Sequence, residues 1–223
     1  DQPGEGEHKL FHYIRQHSTS HKTEVSVVYG LDADLIMLCL NHLRISKQIY
    51  LYRETPEFVQ SIDKNINPDE SYLLDIPLLS QKIILEMNNF KKPSSIQETN
   101  KLYDYIFLCF FLGNDFLPHF PAVNIRTKGI EIMLNSYKKL FGDTNKNLTN
   151  GKKIFWNNVN LLIQDLADDE WKNLISEYKI RDRQETYVVK EEDEMTRYLK
   201  IPVRNREVEK YIAPYVPQWQ KRY

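Results

Sequence analysis

Two cysteines, Cys39 and Cys109, are all that the 223 residues contain, and each lies inside an apolar run. That scarcity excludes a disulfide framework and a cysteine-built zinc site, and it reads as two small buried hydrophobes in a reducing compartment. In such a compartment the sequon Asn147-Leu148-Thr149 is a chance match. An excess of either charge is lacking too, since 30 Lys and Arg stand against 31 Asp and Glu for a net charge of -1. No overall field attracts a polyanion, so a nucleic-acid partner would have to be held by metal ions and a local basic patch. Long hydrophobic runs are absent. No stretch approaches the roughly 18 consecutive apolar residues of a membrane span, and no signal-peptide pattern is found, so a soluble chain with no membrane partner is expected.

What is present, 41% hydrophobic and 12% aromatic residues, suffices for one sizeable core and a smaller appended lobe. The chain opens at Asp1 and stops at Tyr223 with neither an initiating methionine nor a tail, and is expected to be cut from a longer protein.

The organising stretch is Tyr29-Gly30-Leu31-Asp32-Ala33-Asp34-Leu35-Ile36-Met37-Leu38. Ahead of Gly30, Val25 to Tyr29 crowds β-branched and aromatic residues into a short run, which predicts a buried strand. Beyond the Gly30 turn, an extended backbone would aim Asp32 and Asp34 at one point, because side chains at i and i+2 share a face. Two like charges converging at the carboxyl end of a strand are costly without a cation, and that edge is where open α/β sheets bind ligands. A divalent-metal site and a polar loop with one aspartate capping the next helix both satisfy the pattern. The same choice arises at Pro3-Gly4-Glu5-Gly6-Glu7-His8-Lys9. Glu5 and Glu7 share a face if the chain is extended; otherwise they are acidic residues at the start of a helix striped by Leu10, Phe11 and Ile14. His8, His12, His17 and His21 do not share one helical face and are read as surface residues.

Further along, Leu35 to Leu43 reads as a buried helix and Gln48 to Arg53 as a strand ended by Glu54-Thr55-Pro56. A polar surface loop follows at 61–71, then a short strand at Tyr72 to Ile76 and a helix from Pro77 to Met87 with proline in its first turn. Ser95-Ile96-Gln97-Glu98 has capping-box spacing and opens a helix to Leu112, whose last part from Tyr105 is apolar all round and is expected to be buried on every side, a short strand being the alternative there. Gly113 fits the position that ends a helix. Asp115, just beyond, meets the negative end of the helix dipole beside a buried segment, and both effects disfavour its charge unless a cation compensates. It is a better ligand candidate than any single carboxylate before it, a structural hydrogen-bonding role being the alternative. Three stripes then read as core: Ile130, Met133, Leu134, Tyr137 and Leu140; Phe155, Val159, Leu162, Ile163 and Leu166; and Trp171, Leu174, Ile175 and Tyr178. Arg181 to Glu194 reads as a solvated linker or exposed helix, and the final segment, with Pro202, Pro214, Pro217 and Trp219, as an extended strap.

Taken together, the segments at 3–9 and 29–38 and Phe107-Leu108-Cys109-Phe110-Phe111-Leu112-Gly113-Asn114-Asp115-Phe116-Leu117-Pro118-His119 closely resemble, in order and wording, the XRN family of 5′→3′ exoribonucleases. Leu51-Tyr52-Arg53-Glu54 resembles the family's strand after the second motif, and Trp219 to Tyr223 the start of its second conserved region. The resemblance covers most of 3–141, thins through 142–205 and returns at the carboxyl end. It implies an α/β, PIN-like (flap-endonuclease-like) nuclease fold with a mostly parallel central sheet, followed by a helical region. On this division residues 1–141 are the carboxyl-terminal part of the nuclease domain, 142–200 a helical region with a charged linker, and 201–223 the start of the second conserved region.

The reaction that the resemblance implies is processive hydrolysis of single-stranded, 5′-monophosphorylated RNA to nucleoside monophosphates by a monomeric enzyme, expected in the cytoplasm, with the nucleus as the alternative. Carried over residue by residue, Glu5, Glu7, Asp32, Asp34 and Asp115 match the family's acidic metal-binding cluster, and their hard oxygens suit two Mg²⁺ or Mn²⁺ ions. Two ions about 4 Å apart would activate a water and stabilise the leaving oxygen. His119, Arg126 and Lys128 are weak candidates to face the nucleic-acid backbone, loop charges being the plainer reading. The family's earlier acidic ligands, 5′-phosphate pocket and base-stacking histidine precede these motifs, so the fragment alone is expected to be weakly active or inactive without that amino-terminal part of the core. A flap-endonuclease-type nuclease and a non-catalytic RNA-binding scaffold are the alternatives. The first lacks its helical DNA-binding motif after Asp115; the second has little reason to keep five repulsive charges beside phosphate.

Overall fold

The computed structural model describes residues 4–52, 65, 67, 70–114, 117–120, 122–125 and 127–186. The expectations placed on Glu54-Thr55-Pro56, on most of 61–71, on Asp115 and Arg126, and on everything from 187 onward lie outside the described residues. The chain divides into two compact units, Asp1–Phe107 with Asp143–Lys153, and Leu108–Gly142 with Ile154–Tyr223.

In the first unit, α1 (Gly6–Gln16) buries Phe11 and Ile14 of its stripe but leaves Leu10 exposed, and the short α2 (Ser18–His21) follows. Then come β1 (Val25–Tyr29), α3 (Asp34–His42), β2 (Gln48–Tyr52), β3 (Leu73–Asp75) and α4 (Ile76–Met87). The sheet order is β1-β2-β3; β1 runs parallel to β2 with Val25 opposite Gln48 and Tyr29 opposite Tyr52, and β3 is antiparallel to β2. Among the described residues the sheet is therefore mixed rather than mostly parallel. The antiparallel β3 supplies the cap of the next helix: the Asp75 carboxylate accepts the Leu78 N–H at 2.8 Å, and Pro77 sits in the first turn, where no intrahelical partner is lost.

Helices α3 and α4 pack on β2, and the sheet face beneath them buries Val28, Ile49 and Leu51. The other face of β1 corrects the expectation of a buried strand, for Val25, Val27 and Tyr29 are all more than half exposed. The run Val-Ser-Val-Val-Tyr puts apolar residues on both faces, and its composition does not say which one is covered.

Helix α5 (Ser95–Phe111) begins one residue before the expected cap would allow. Ser95 is already helical, and the Glu98 N–H bonds to the Ser94 carbonyl at 2.8 Å. Its first part carries Lys101 and Asp104, both fully buried. The Asp104 carboxylate accepts the N–H groups of Leu148 and Thr149 at 2.7–3.0 Å, tying the segment Asp143–Lys153 to the helix. Asn147 and Thr149 are buried there, so the sequon is sealed inside the fold.

The second unit takes the end of α5, then α6 (Gly129–Phe141), α7 (Trp156–Asp168) and α8 (Glu170–Thr186). Met133 and Tyr137 of α6 and Val159, Leu162 and Leu166 of α7 are buried, as their stripes predict, and Phe141 joins them from outside the stripe, while Ile130 and Phe155 at the stripes' starts are exposed. Ser136 donates to Asp165 at 2.6 Å, and Lys139 pairs with the same carboxylate. Two further expectations fail here. Phe110 is about half exposed, so the end of α5 is not buried all round. On α8 the buried side is Glu170, Leu174 and Glu177, while Trp171 and Ile175 face out. The Thr127 hydroxyl donates to Glu177, which helps to turn that acidic face inward.

Neither cysteine forms a disulfide, and burial pushes the Cys39 thiol up to about 12, the behaviour of an inert core residue. Among the described residues no helix is long and apolar enough to cross a membrane.

Candidate active site

Four of the five motif carboxylates lie in the first unit, and each pair stands at the amino end of a helix. Glu5 is the N-cap residue of α1, with extended dihedrals (φ -69°, ψ 149°) and no side-chain capping bond, and Glu7 lies in the first turn. The Glu5 carboxylate is 3.7 Å from His8 Nε2, an exposed pair of small energetic weight. Asp32 lies between β1 and α3, and its Oδ1 accepts the Asp34 N–H at the long distance of 3.5 Å. Asp34 is the first residue of α3.

These placements correct the extended-backbone argument for both pairs. Glu7 and Asp34 are helical while Glu5 and Asp32 precede their helices, so neither pair lies on one extended strand, and for Glu5 and Glu7 the helix-start reading holds. What groups each pair is instead the helix terminus, whose unpaired N–H groups and dipole favour negative charge. Glu5, Asp32 and Asp34 are exposed and Glu7 half-buried. Among the described residues no three His, Cys, Asp or Glu side chains gather as a metal-holding group. Asp115, the fifth, lies outside the described residues.

Around that position the local geometry is well defined within the second unit. Gly113 closes α5 with φ +86°, and a Cβ there would lie 2.8 Å from the His119 backbone nitrogen, so glycine is required twice over. Asn114 caps the following turn, its Oδ1 accepting the Leu117 N–H at 2.8 Å, and the Asn114 N–H bonds to the Leu117 carbonyl. His119 is half-buried with Nδ1 donating to the Phe120 carbonyl at 2.7 Å, which leaves Nε2 as its only ring nitrogen for another partner. Lys128 is exposed at the N-cap of α6. Arg126 is outside the described residues.

One polar contact escapes sequence reasoning altogether. His42, at the end of α3, is buried, and its ring meets Arg15 of α1 at 3.0 Å and Phe11 at a centroid distance of 4.5 Å. A histidine closing an apolar helix run is a weak signal for this, and nothing in the spacing points to Arg15.

The XRN 5′-3′ exonuclease N-terminus model matches residues 1–55, and the Xrn1 helical domain model matches residues 96–213. The chain belongs to the XRN family. Its XRN relatives include the 5′-3′ exoribonuclease 2 of Arabidopsis thaliana, 31% identical over 196 residues, covering 73% of this chain and 19% of that protein. The protein of the same name from Candida albicans is 31% identical over 186 residues, with 75% and 19% covered, and that from Emericella nidulans 30% over 200 residues, with 75% and 19%. This XRN chain thus spans about a fifth of the length of these relatives. The helical-domain match runs through 142–205, the region where the motif resemblance is thin.

Proposed function

We propose that the protein to which this chain belongs is a 5′→3′ exoribonuclease that hydrolyses single-stranded, 5′-monophosphorylated RNA processively to nucleoside monophosphates, acting as a monomer. The observation that carries this reading is the pairing, twice in a member of the XRN family, of an acidic pair with a helix amino end: Glu5 and Glu7 at α1, Asp32 and Asp34 at α3.

The donor set fits a hard divalent cation, since all four groups are carboxylates with accessible oxygens, and Mg²⁺ or Mn²⁺ takes oxygen ligands. With Asp115 as a fifth donor, two ions are proposed. When bound, such ions supply a water acidified toward neutral pH and offset the charge that builds on the phosphate. The chain's own residues do the rest. The carboxylates hold the ions in place, and the N–H groups at the amino ends of α1 and α3 favour a phosphate nearby. His119, Arg126 and Lys128 are proposed, on weaker grounds, to meet the RNA backbone.

A PIN-like fold is proposed for the nuclease part, supported by the parallel β1–α3–β2 unit with Asp32 at the carboxyl end of β1. The exposed apolar face of β1, at the edge of the sheet, suits cover by the amino-terminal part of the same nuclease core; the 223 residues alone are expected to be weakly active at most. Domain limits at 141 and 200 are a further proposal, for limited proteolysis to test. Because the helical-domain match starts at residue 96, a stable cut near 95 would replace the limit at 141. A cytoplasmic setting, with the nucleus as alternative, is proposed on the unbridged cysteines.

The test is RNA decay by the full-length protein, comparing 5′-monophosphate, 5′-hydroxyl and 5′-triphosphate ends, with Mg²⁺ and with chelator. Metal-dependent loss of the monophosphorylated RNA to mononucleotides is expected. Indifference to the end and to metal would refute the reading.

A further inference from the structure

The two helices that carry the acidic pairs are joined at their other ends. His42 is the last residue of α3 and Arg15 lies in the last turn of α1. A carbonyl can only accept and a guanidinium can only donate. The bond from His42 Nδ1 to the Leu38 carbonyl at 2.7 Å therefore requires the ring proton on Nδ1, and the 3.0 Å contact with Arg15 Nη1 requires a bare Nε2. Only the neutral ring, in that one tautomer, makes both bonds. Phe11, also on α1 and 1% exposed, closes over the ring. Along each helix the contact lies about 12–14 Å from the carboxylates, at 1.5 Å per residue from Gly6 to Arg15 and from Asp34 to His42.

We propose that His42 and Arg15 are positioning residues of the active site, a clamp between a buried imidazole and an exposed guanidinium that fixes the rotation and register of α1 against α3 and so sets Glu5 and Glu7 relative to Asp32 and Asp34. This rests on the proposed function above. The clamp is also sensitive to pH, with a defined sign. Burial, and then the cations Arg15 and Arg44, hold His42 below the ordinary imidazole value of 6.5, against the pull of the Leu38 carbonyl; α4, the other helix on α3, adds no charge to the ring among the described residues. Because the folded value is lowered, the clamp is fully in place above 6.5 and is lost as pH falls through the lowered value. A protonated ring has no acceptor for Arg15 and sets two cations side by side.

The experiment uses the full-length protein and Mn²⁺ alone as probe, with affinity measured by titration calorimetry from pH 7.5 down to pH 5 and RNA decay followed beside it. His42→Ala is expected to weaken Mn²⁺ affinity by about tenfold at pH 7, the scale of losing a group that orients metal ligands. His42→Gln keeps an acceptor near the Nε2 position and cannot titrate; it is expected to retain affinity at pH 7 and to remove the fall in affinity expected of the wild type as pH drops through the lowered value. If His42→Ala binds Mn²⁺ as the wild type does, or His42→Gln keeps the same fall, the clamp is overturned. Asp32→Ala separates the two readings. If it leaves Mn²⁺ binding and RNA decay intact, the proposed function itself fails; if it abolishes both while His42→Ala changes neither, only this inference fails.

Discussion

Asp104 is fully buried, and both of its oxygens accept backbone N–H groups of Leu148 and Thr149, whereas Asp32, in the same unit, is exposed and accepts one N–H at 3.5 Å. Both sit in segments of similar look, an aspartate beside an apolar run. The difference lies in what each carboxylate has left over. Asp104 is spent on the fold: it holds the segment Asp143–Lys153 to α5 and stands one turn from the buried Lys101, whose charge it favours while burial opposes it. Asp32 and Asp34, like Glu5, stand exposed at helix amino ends. Carboxylates so placed suit a hard cation.

That contrast can be broken by substitution. The largest effect is expected at the exposed corner. Asp34→Ala in the full-length protein should reduce the rate of RNA hydrolysis by about a hundredfold or more, at least the loss seen when a group supporting a metal ligand is removed. Its thermal midpoint should move little, since exposed substitutions away from special features stay within about 0.5 kcal/mol. The opposite is expected of Asp104→Ala, which removes a carboxylate that favours the charge of the buried Lys101 and leaves two N–H groups unsatisfied; a loss of about 3 kcal/mol should appear in denaturant unfolding. Equal effects of the two on stability would erase the distinction.

Gly113→Ala should come next, at about 2 kcal/mol, because alanine must adopt φ +86° and press its methyl on the His119 backbone. Measured by unfolding alongside activity, it also sharpens the comparison, since the turn it supports leads directly into Asn114 and Asp115. The smallest effect is expected at Asp165. Burial works to raise its carboxyl, but bonds from Lys139 and Ser136 outweigh it and hold the group below the ordinary 3.8. Asp165→Asn should cost about 1 kcal/mol at pH 7. With the folded value lowered, the wild type's advantage is full above 3.8 and disappears as pH falls through the lowered value, which unfolding across pH 6 to 2 would follow.

The order of elements was largely legible in the sequence, because strand and helix runs here are short, strongly patterned and punctuated. Gly113 and Pro77 act in part through φ, and a residue's own chemistry announces that. Faces were harder. Val25, Val27 and Tyr29 are apolar yet exposed, since a strand with valine on both sides does not declare which side is covered. On α8 the buried side lies one residue around from the apolar stripe, because Glu170 and Glu177 turn inward and Thr127 donates to the second. The acidic motifs declare themselves by their residues, and for Glu5 and Glu7 the helix-start reading holds, whereas the shared strand face expected of Asp32 and Asp34 does not. Helix α3 starts at Asp34 itself, so the pair shares a helix terminus and not a strand face. The Arg15–His42 contact joins residues 27 apart in sequence and left no local trace.

The central claim is that the exposed carboxylates serve RNA hydrolysis and not the fold. The most direct measurement is single-turnover decay of 5′-monophosphorylated RNA by the full-length protein, wild type against Asp32→Ala, both shown by their melting curves to be folded. Loss of mononucleotide release in the variant at an unchanged melting midpoint is the predicted result. Undiminished release by a folded Asp32→Ala protein would contradict it.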